Sequence, residues 1–296
     1  IIHTNDLHGN MLSFAIEDED GWGGAARLAT AIESARADSG YEWLTLDAGD
    51  ACPGCPISDE QQWLPVLDYM NLVGYDAMCL GNGEYTWGLA QTRDFLAAAK
   101  FPTLCANVAV AGDGAPVFPP VAVFERGPYR IGVIGLIRET FSEKLYCKLG
   151  DQVRSYPVIP IAAALAYYLR GIGCDIVIAL THQGFDHDME VAAAVPELDV
   201  VVGGHSHTFL ETPERVGNVV VTQDGELGQT LGVLKLRFTR SDPAGRFALA
   251  DFSEEFRLLS PDQPEDPELA ALVNGYQRQL DQRFSEVICQ SAQDFP

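Results

Sequence analysis

Seven short apolar runs, rich in β-branched residues, punctuate this chain at residues 43–46, 76–80, 129–136, 175–180, 199–202, 219–222 and 231–238. Runs of that length bounded by Gly, Asn and Asp form strands. Helical patterns lie between many of them. GGAARLATAIESARA runs from Gly23, EQQWLPVLDYMNLV from Glu60, LAQTRDFLAAAK from Leu89, and IAAALAYYLRGI from Ile161, just after Pro160. Alternating strands and helices imply an α/β fold. From residue 219 to 257 the strands succeed one another with little helix, so an antiparallel portion is expected and the sheet structure should be mixed.

The 296 residues, 47% of them hydrophobic, suffice for one large domain or two small ones. No apolar run reaches the roughly 18 residues of a membrane span. The formal charge is −23. That excludes nucleic-acid and anionic-membrane binding, which need a basic surface. It also repels phosphate-bearing molecules at long range, so an anion site must carry local positive charge, and a metal is its simplest source. The chain opens on IIHTND without Met, in what reads as mid-strand, as a processed product would. Cys79, Cys105 and Cys174 lie in or beside apolar runs and are expected as buried thiols. Cys52 and Cys55, in the loop sequence CPGC, read either as a local disulfide or as two inert thiols.

The residues just beyond each strand carry the chemistry. After residues 1–3 comes TNDLHG, with Asp6 and His8. After Leu46 comes DAGD, with Asp50, and after Leu80 comes GNG, with Asn82. After Leu180 comes THQG, with His182, and after Val202 comes GGHSH, with His205 and His207. The carboxyl ends of strands in an open α/β sheet form its ligand crevice. Seven oxygen and imidazole donors at five strand ends exceed one tetrahedral metal and suit two metals sharing a carboxylate. Asp, His and Asn together suit manganese, zinc or iron. Two such ions about 3.5–4 Å apart activate water and clamp the oxygens of an in-line displacement.

The blocks TNDLHG, GD…G…P, GN.E, TH.G and GGHSH, in this order, resemble the calcineurin-like metallophosphoesterases, and more closely the catalytic domain of the 5'-nucleotidase family. GGAARLAT, NLVGYDA and TQDGELGQTLGVLKL are similar to that family's connecting segments. The resemblance implies a layered sandwich of mixed β-sheets flanked by helices. It implies that Asp6, His8 and His207 hold one divalent ion, that Asn82, His182 and His205 hold a second, and that Asp50 bridges them. It also implies a small-molecule phosphate ester as substrate and a periplasmic or secreted location. Residues 1–260 would form the catalytic domain. Residues 261–296, an acidic Pro-rich turn and a long helix, would either close that domain or lead to a C-terminal substrate domain.

One block departs from the pattern. Where the family reads Gly-Asn-His-Glu-Phe-Asp, this chain has Gly81, Asn82, Gly83, Glu84, Tyr85 and Thr86. The resemblance therefore implies that the imidazole serving the leaving group is replaced by Gly83, and the Asp orienting it by Thr86. General acid help is worth about 10²–10⁴-fold. A cavity the size of the lost ring is expected at Gly83 unless Tyr85 or Trp87 fills it. Three readings remain: a phosphoesterase that tolerates the loss, with His187 as a substitute acid; a sulfur-ester hydrolase like the thiosulfohydrolases, which are similar in having Thr where Thr86 stands; and a metal-containing binding protein without turnover.

Overall fold

The computed structural model describes residues 1–17, 19–112, 114–140, 149–240 and 246–286. Among them, two six-stranded sheets dominate. The first runs in the order Ala248–Leu258, Thr230–Thr239, Ile2–Thr4, Thr45–Asp47, Ala77–Cys79, Thr103–Leu104. Its first three strands pair antiparallel and the last four parallel. The second runs Glu214–Val216, Val219–Thr222, Val200–Val202, Ile176–His182, Tyr129–Ile137, Val121–Arg126, with four parallel strands between two antiparallel edges. Every strand run read from the sequence is a strand here, and both sheets are mixed.

The sheets face each other because their central strands are apolar on both sides. In Ile176–His182, residues Ile176, Ile178 and Leu180 point to the inter-sheet core with Leu46, Leu104, Val200 and Leu234. Val177 and Ala179 point the other way, onto the helices Val158–Gly171 and Phe185–Ala194. Continuous apolar runs of this kind belong to strands covered on both faces. The outer face of the first sheet is covered by Ala25–Arg36, Leu64–Val73 and Pro267–Arg283, which packs there through Leu269, Val273 and Leu280. The result is a helix–sheet–sheet–helix sandwich. None of its described helices is long and apolar enough to cross a membrane.

Two helix starts differ from the sequence reading. The helix expected from Ile161 begins at Val158, so Pro160 lies in its first turn, where its missing N–H removes no intrahelical bond. The helix expected from Glu60 begins at Leu64, because Gln62 and Trp63 hold left-handed backbones with φ of 51° and 70°. The partly exposed edge strand Val121–Arg126 and the short hairpin Phe14–Ile16 with Glu19–Trp22 went unread. Cys79, Cys105 and Cys174 are buried thiols, as expected; Cys52 and Cys55 are both free, so the pair is two thiols in this structure.

The layers set a stability order. Leu234 is fully buried between the sheets. Asp266 caps the last helix by accepting the Leu269 N–H at 2.8 Å. Denaturant unfolding should show Leu234→Ala costing about 2–5 kcal/mol and Asp266→Ala about 1 kcal/mol. A reversed order would contradict the inter-sheet core.

Candidate metal centre

The parallel strands of both sheets deliver their carboxyl ends to one place. From the first sheet, Ile2–Thr4 leads to Asp6 and His8, Thr45–Asp47 to Asp50, and Ala77–Cys79 to Asn82. From the second, Ile176–His182 ends on His182 and Val200–Val202 leads to His205 and His207. Ligand atoms of Asp6, His8 and His207 lie within 4.8 Å of one another, and those of Asp6, Asp50 and His182 form a second such group. His205 Nδ1 stands 3.3 Å from His182 Nε2. Asn82 enters beside them, because its neighbour Gly83 donates its N–H to Asp50 Oδ1 at 2.6 Å. The carboxylate common to both groups is Asp6. Asp50, expected as the bridge, turns Oδ2 to His182 at 3.3 Å.

Five of these residues hold left-handed backbones: Asp6 (φ 50°), His8 (49°), Asp50 (50°), His205 (82°) and His207 (55°). Asp and His visit this region more readily than most residues, yet each non-glycine instance costs of order 1–3 kcal/mol and persists only where the surroundings enforce it. Here the enforcement is a lattice of backbone bonds. Asp6 N–H donates to Gly49 O, His8 N–H to Asp50 O, and Gly9 N–H to Ala51 O.

Three imidazoles are oriented from behind. His182 Nδ1 donates to Ala48 O at 2.8 Å, His8 Nδ1 to Pro53 O at 3.0 Å, and His207 Nδ1 to the Glu226 carboxylate at 2.7 Å. A carbonyl or carboxylate oxygen only accepts, so each Nε2 is left facing the cluster. His8 Nε2 and His207 Nε2 then lie 3.2 Å apart. Asp6 Oδ1 is buried, 3.3–3.9 Å from the Nε2 atoms of His207, His8 and His182, without a well-formed hydrogen bond. Inward lone pairs around a buried carboxylate oxygen are a donor set that cations satisfy, so the residues present fit divalent metals. Without one, a proton takes that place. Burial opposes a proton on His182, but Asp50, Asp6 and Glu84 overrule it and raise its pKa to about 10. Burial alone would raise Asp50; His182 and His8 bring it down to about 2.

Glu84 is a residue whose role the sequence did not reveal. It is fully buried. Its Oε2 accepts the N–H groups of Asp50 at 3.0 Å and Gly81 at 2.7 Å, and its Oε1 that of Cys52 at 3.3 Å. It ties the Asp50 loop to the Asn82 loop. The signals in the sequence were an acid set among glycines and apolar residues and its place in the GN.E block.

The cavity expected at Gly83 does not exist. A Cβ there would stand 2.4 Å from Cys52 O and 2.9 Å from Pro53 Cδ. The CPGC loop, rather than Tyr85 or Trp87, occupies the space. At Gly81 a Cβ would stand 2.1 Å from Asp50 Oδ1. His187, the suggested substitute acid, lies on Phe185–Ala194 outside the ligand groups, with Nδ1 3.2 Å from Glu190.

Residues 1–209 match the calcineurin-like phosphoesterase family. Over 316 aligned residues the chain is 32% identical to the snake venom 5'-nucleotidase of Gloydius brevicauda, covering 97% of this chain and 52% of that protein. It thus spans about half the length of the curated relatives it matches. Its structure superposes on a 5'-nucleotidase precursor from Thermus thermophilus with a TM-score of 0.87 at 29% identity, covering 97% of this chain and 60% of that one. A sulfate thiohydrolase, SoxB, of the same genus shares the fold, with a TM-score of 0.82 at 18% identity over 94% of this chain and 60% of that one. With its first 209 residues matching that family and its strand ends gathered around Asp6, the chain belongs to the calcineurin-like phosphoesterases.

Proposed function

We propose that this chain is the catalytic part of a phosphate-ester hydrolase that acts on a nucleotide-like substrate with two divalent ions, manganese, zinc or iron. The observation that carries the reading is the pair of ligand groups sharing Asp6 at the strand ends. The similarity to 5'-nucleotidases supports the nucleotide, and the venom relative supports a periplasmic or secreted location. Asp6, His8 and His207 would hold one ion, and Asn82, His182 and His205 the other, with Asp50 and Asp6 between them.

When bound, such ions supply a nucleophile from water at neutral pH and neutralise the phosphoryl oxygens. The chain's own part is to hold the site rigid. Ala48 O, Pro53 O and Glu226 fix the imidazoles, and Glu84 fixes the two loops that carry Asp50 and Asn82. Glu84 adjoins Gly83, but it is fully buried with its oxygens turned to the N–H groups of Asp50, Gly81 and Cys52, so its role in this reading is to hold the loops. Thr86 at the position of the orienting Asp keeps a second reading in play, sulfur-ester hydrolysis. S-sulfonated cysteine as substrate separates the two.

Metal analysis of protein purified without chelator should find about two equivalents per chain. Asp6→Ala should lower this towards zero, since Asp6 belongs to both ligand groups, and Asp50→Ala should do the same through its proposed bridging role. Joint Cys52→Ser and Cys55→Ser replacement should leave it intact, because neither thiol belongs to those groups. Loss of metal in that double variant would place a thiolate in the site.

The proton on His182 makes a second test. Its pKa rises from 6.5 to about 10 on folding. Its stabilisation is therefore complete below the unfolded pKa and is lost as pH rises through the folded one. Burial holds Asp47, Asp188 and Asp224 up to about 7, so they finish titrating lower down, whereas Glu84, pushed well up by burial and by Asp50, acts in the same direction as His182. Metal-free protein should lose stability between about pH 7.5 and 10, and metal-loaded protein should lose much less, because metal replaces that proton. Equal slopes in thermal melts would remove His182 from the metal site.

The absent acid predicts substrate rank. p-Nitrophenyl phosphate should exceed nucleoside monophosphates in kcat/KM by about 10²-fold or more. Gly83→His should lower metal content rather than restore alkyl-ester activity, since its Cβ meets the Cys52 carbonyl. Restored activity with metals in place would show that the 52–55 loop yields easily.

A further inference from the structure

The helix Val158–Gly171 carries one charged residue, Arg170, and residues 155–169 carry none. Every other described α-helix bears charge, as befits a chain with 42 acids among 296 residues. The inner face of this helix is accounted for: Val158, Ala162, Ala166 and Leu169 pack on the second sheet with Ile134, Val177 and Ala179. Its outer face is just as apolar, yet it meets solvent. Tyr167 is 76% exposed, Tyr168 53% and Ile159 37%. With Tyr156 they make four of the eleven exposed large hydrophobic side chains among the described residues, all gathered in residues 156–168. A helix that is apolar all round belongs in an interior, and a contiguous exposed apolar patch marks a contact surface.

The order of the side chains shows what fits this face. Residues four apart stand one above the other on a helix. The outer face therefore bears two ridges, Ile159–Ala163–Tyr167 and Pro160–Ala164–Tyr168. Each is small in the middle and bulky at both ends. A two-fold axis between Ala163 and Ala164, perpendicular to the helix, brings the tyrosines of one copy over Ile159 and Pro160 of another. The alanines at the crossing let the two backbones approach, and ridges enter grooves on either side of them. A surface that complements itself when turned end for end is suited to an isologous contact. Charge points to the same partner. Two copies of net charge −23 repel wherever their acids meet, and this face brings no acid to the contact. Arg170, just beyond it, is already engaged by Asp199 and Glu197 O. The same net charge disfavours an anionic membrane as the occupant.

We propose that the outer face of Val158–Gly171 is a dimer interface whose partner is a second copy of this chain, packed antiparallel about Ala163 and Ala164. This goes beyond the catalytic reading and does not depend on it. At about 200 Å² per buried aromatic side chain, the two tyrosines bring on the order of 250 Å² per copy. The aliphatic residues add to that without reaching the roughly 800 Å² per partner of a standard interface. The contact is sized for a reversible dimer rather than an obligate one.

Sedimentation velocity of the intact chain, from about 1 µM to about 300 µM, should show the mass rising from one chain towards two, with a Kd in the micromolar range. Ala164→Glu sets two carboxylates face to face at the axis and should raise that Kd about tenfold or more. Tyr167→Ala should act in the same direction. Both side chains point to solvent, so thermal melts of the variants should match the parent's and confirm that the fold is intact. Oxidation of Ala164→Cys with diamide should give a disulfide-linked dimer. Ala37→Cys, exposed at the end of Ala25–Arg36 on the far side of the sandwich, is the control and should not. A parent that stays monomeric throughout overturns the proposal. So does a dimer unmoved by both Ala164→Glu and Tyr167→Ala, equal cross-linking at residues 37 and 164, or a mass that climbs past two. None of these readouts requires turnover, so they stand or fall separately from the function proposed above.

Discussion

A single buried oxygen, Asp6 Oδ1, organises this molecule. Three imidazole nitrogens, two from loops and one from the end of the strand Ile176–His182, converge on it at 3.3–3.9 Å, and two of them lie 3.2 Å apart. Negative charge and lone pairs brought this close repel unless a cation sits among them. The rest of the site is shaped by that need. Backbone bonds enforce left-handed conformations at Asp6, His8, Asp50, His205 and His207, and the strain they store is offset by the surrounding structure that makes them converge.

Convergence in turn depends on the two-sheet architecture. His182, His205 and His207 arrive from the second sheet, whereas Asp6, His8, Asp50 and Asn82 arrive from the first. Apolar contact between the sheets, through Leu46, Leu104, Ile178, Val200 and Leu234, holds the two sets in register together with cross-sheet hydrogen bonds such as His182 Nδ1 to Ala48 O and His205 N–H to Asp6 Oδ2. Close packing of that core transmits any shift of one sheet directly to the ligand geometry. Glu84 performs the same task locally, joining two neighbouring loops of the first sheet through backbone N–H groups rather than side chains.

The surroundings of the ligands set the chemistry. On one side the CPGC loop closes against Gly83 and leaves no room for an imidazole. On another a groove lined by Arg138, Gln183, His187, His205, Ser206 and Thr208 opens beside them.

Sequence alone determined the strand runs and the mixed α/β character, and singled out seven candidate donors at the strand ends, because apolar periodicity and strand-end punctuation are local properties. It also singled out Gly83 and Thr86. It missed the partly exposed edge strand Val121–Arg126, although residues 121–124 are apolar. It placed a cavity at Gly83, because nothing local reveals that residues 52 and 53 come to fill it. It gave Glu84 no role and did not single out Glu226 or Arg138. The groups they meet across the fold lie 34 and 32 residues away for Glu84, in another loop for Glu226, and on a neighbouring strand for Arg138. Tertiary structure decided those points, and also that the donors come from two sheets rather than one. The physical reason is that which atoms meet across a packed core depends on the whole chain's path, whereas which residues are suited to meet is written into each short stretch.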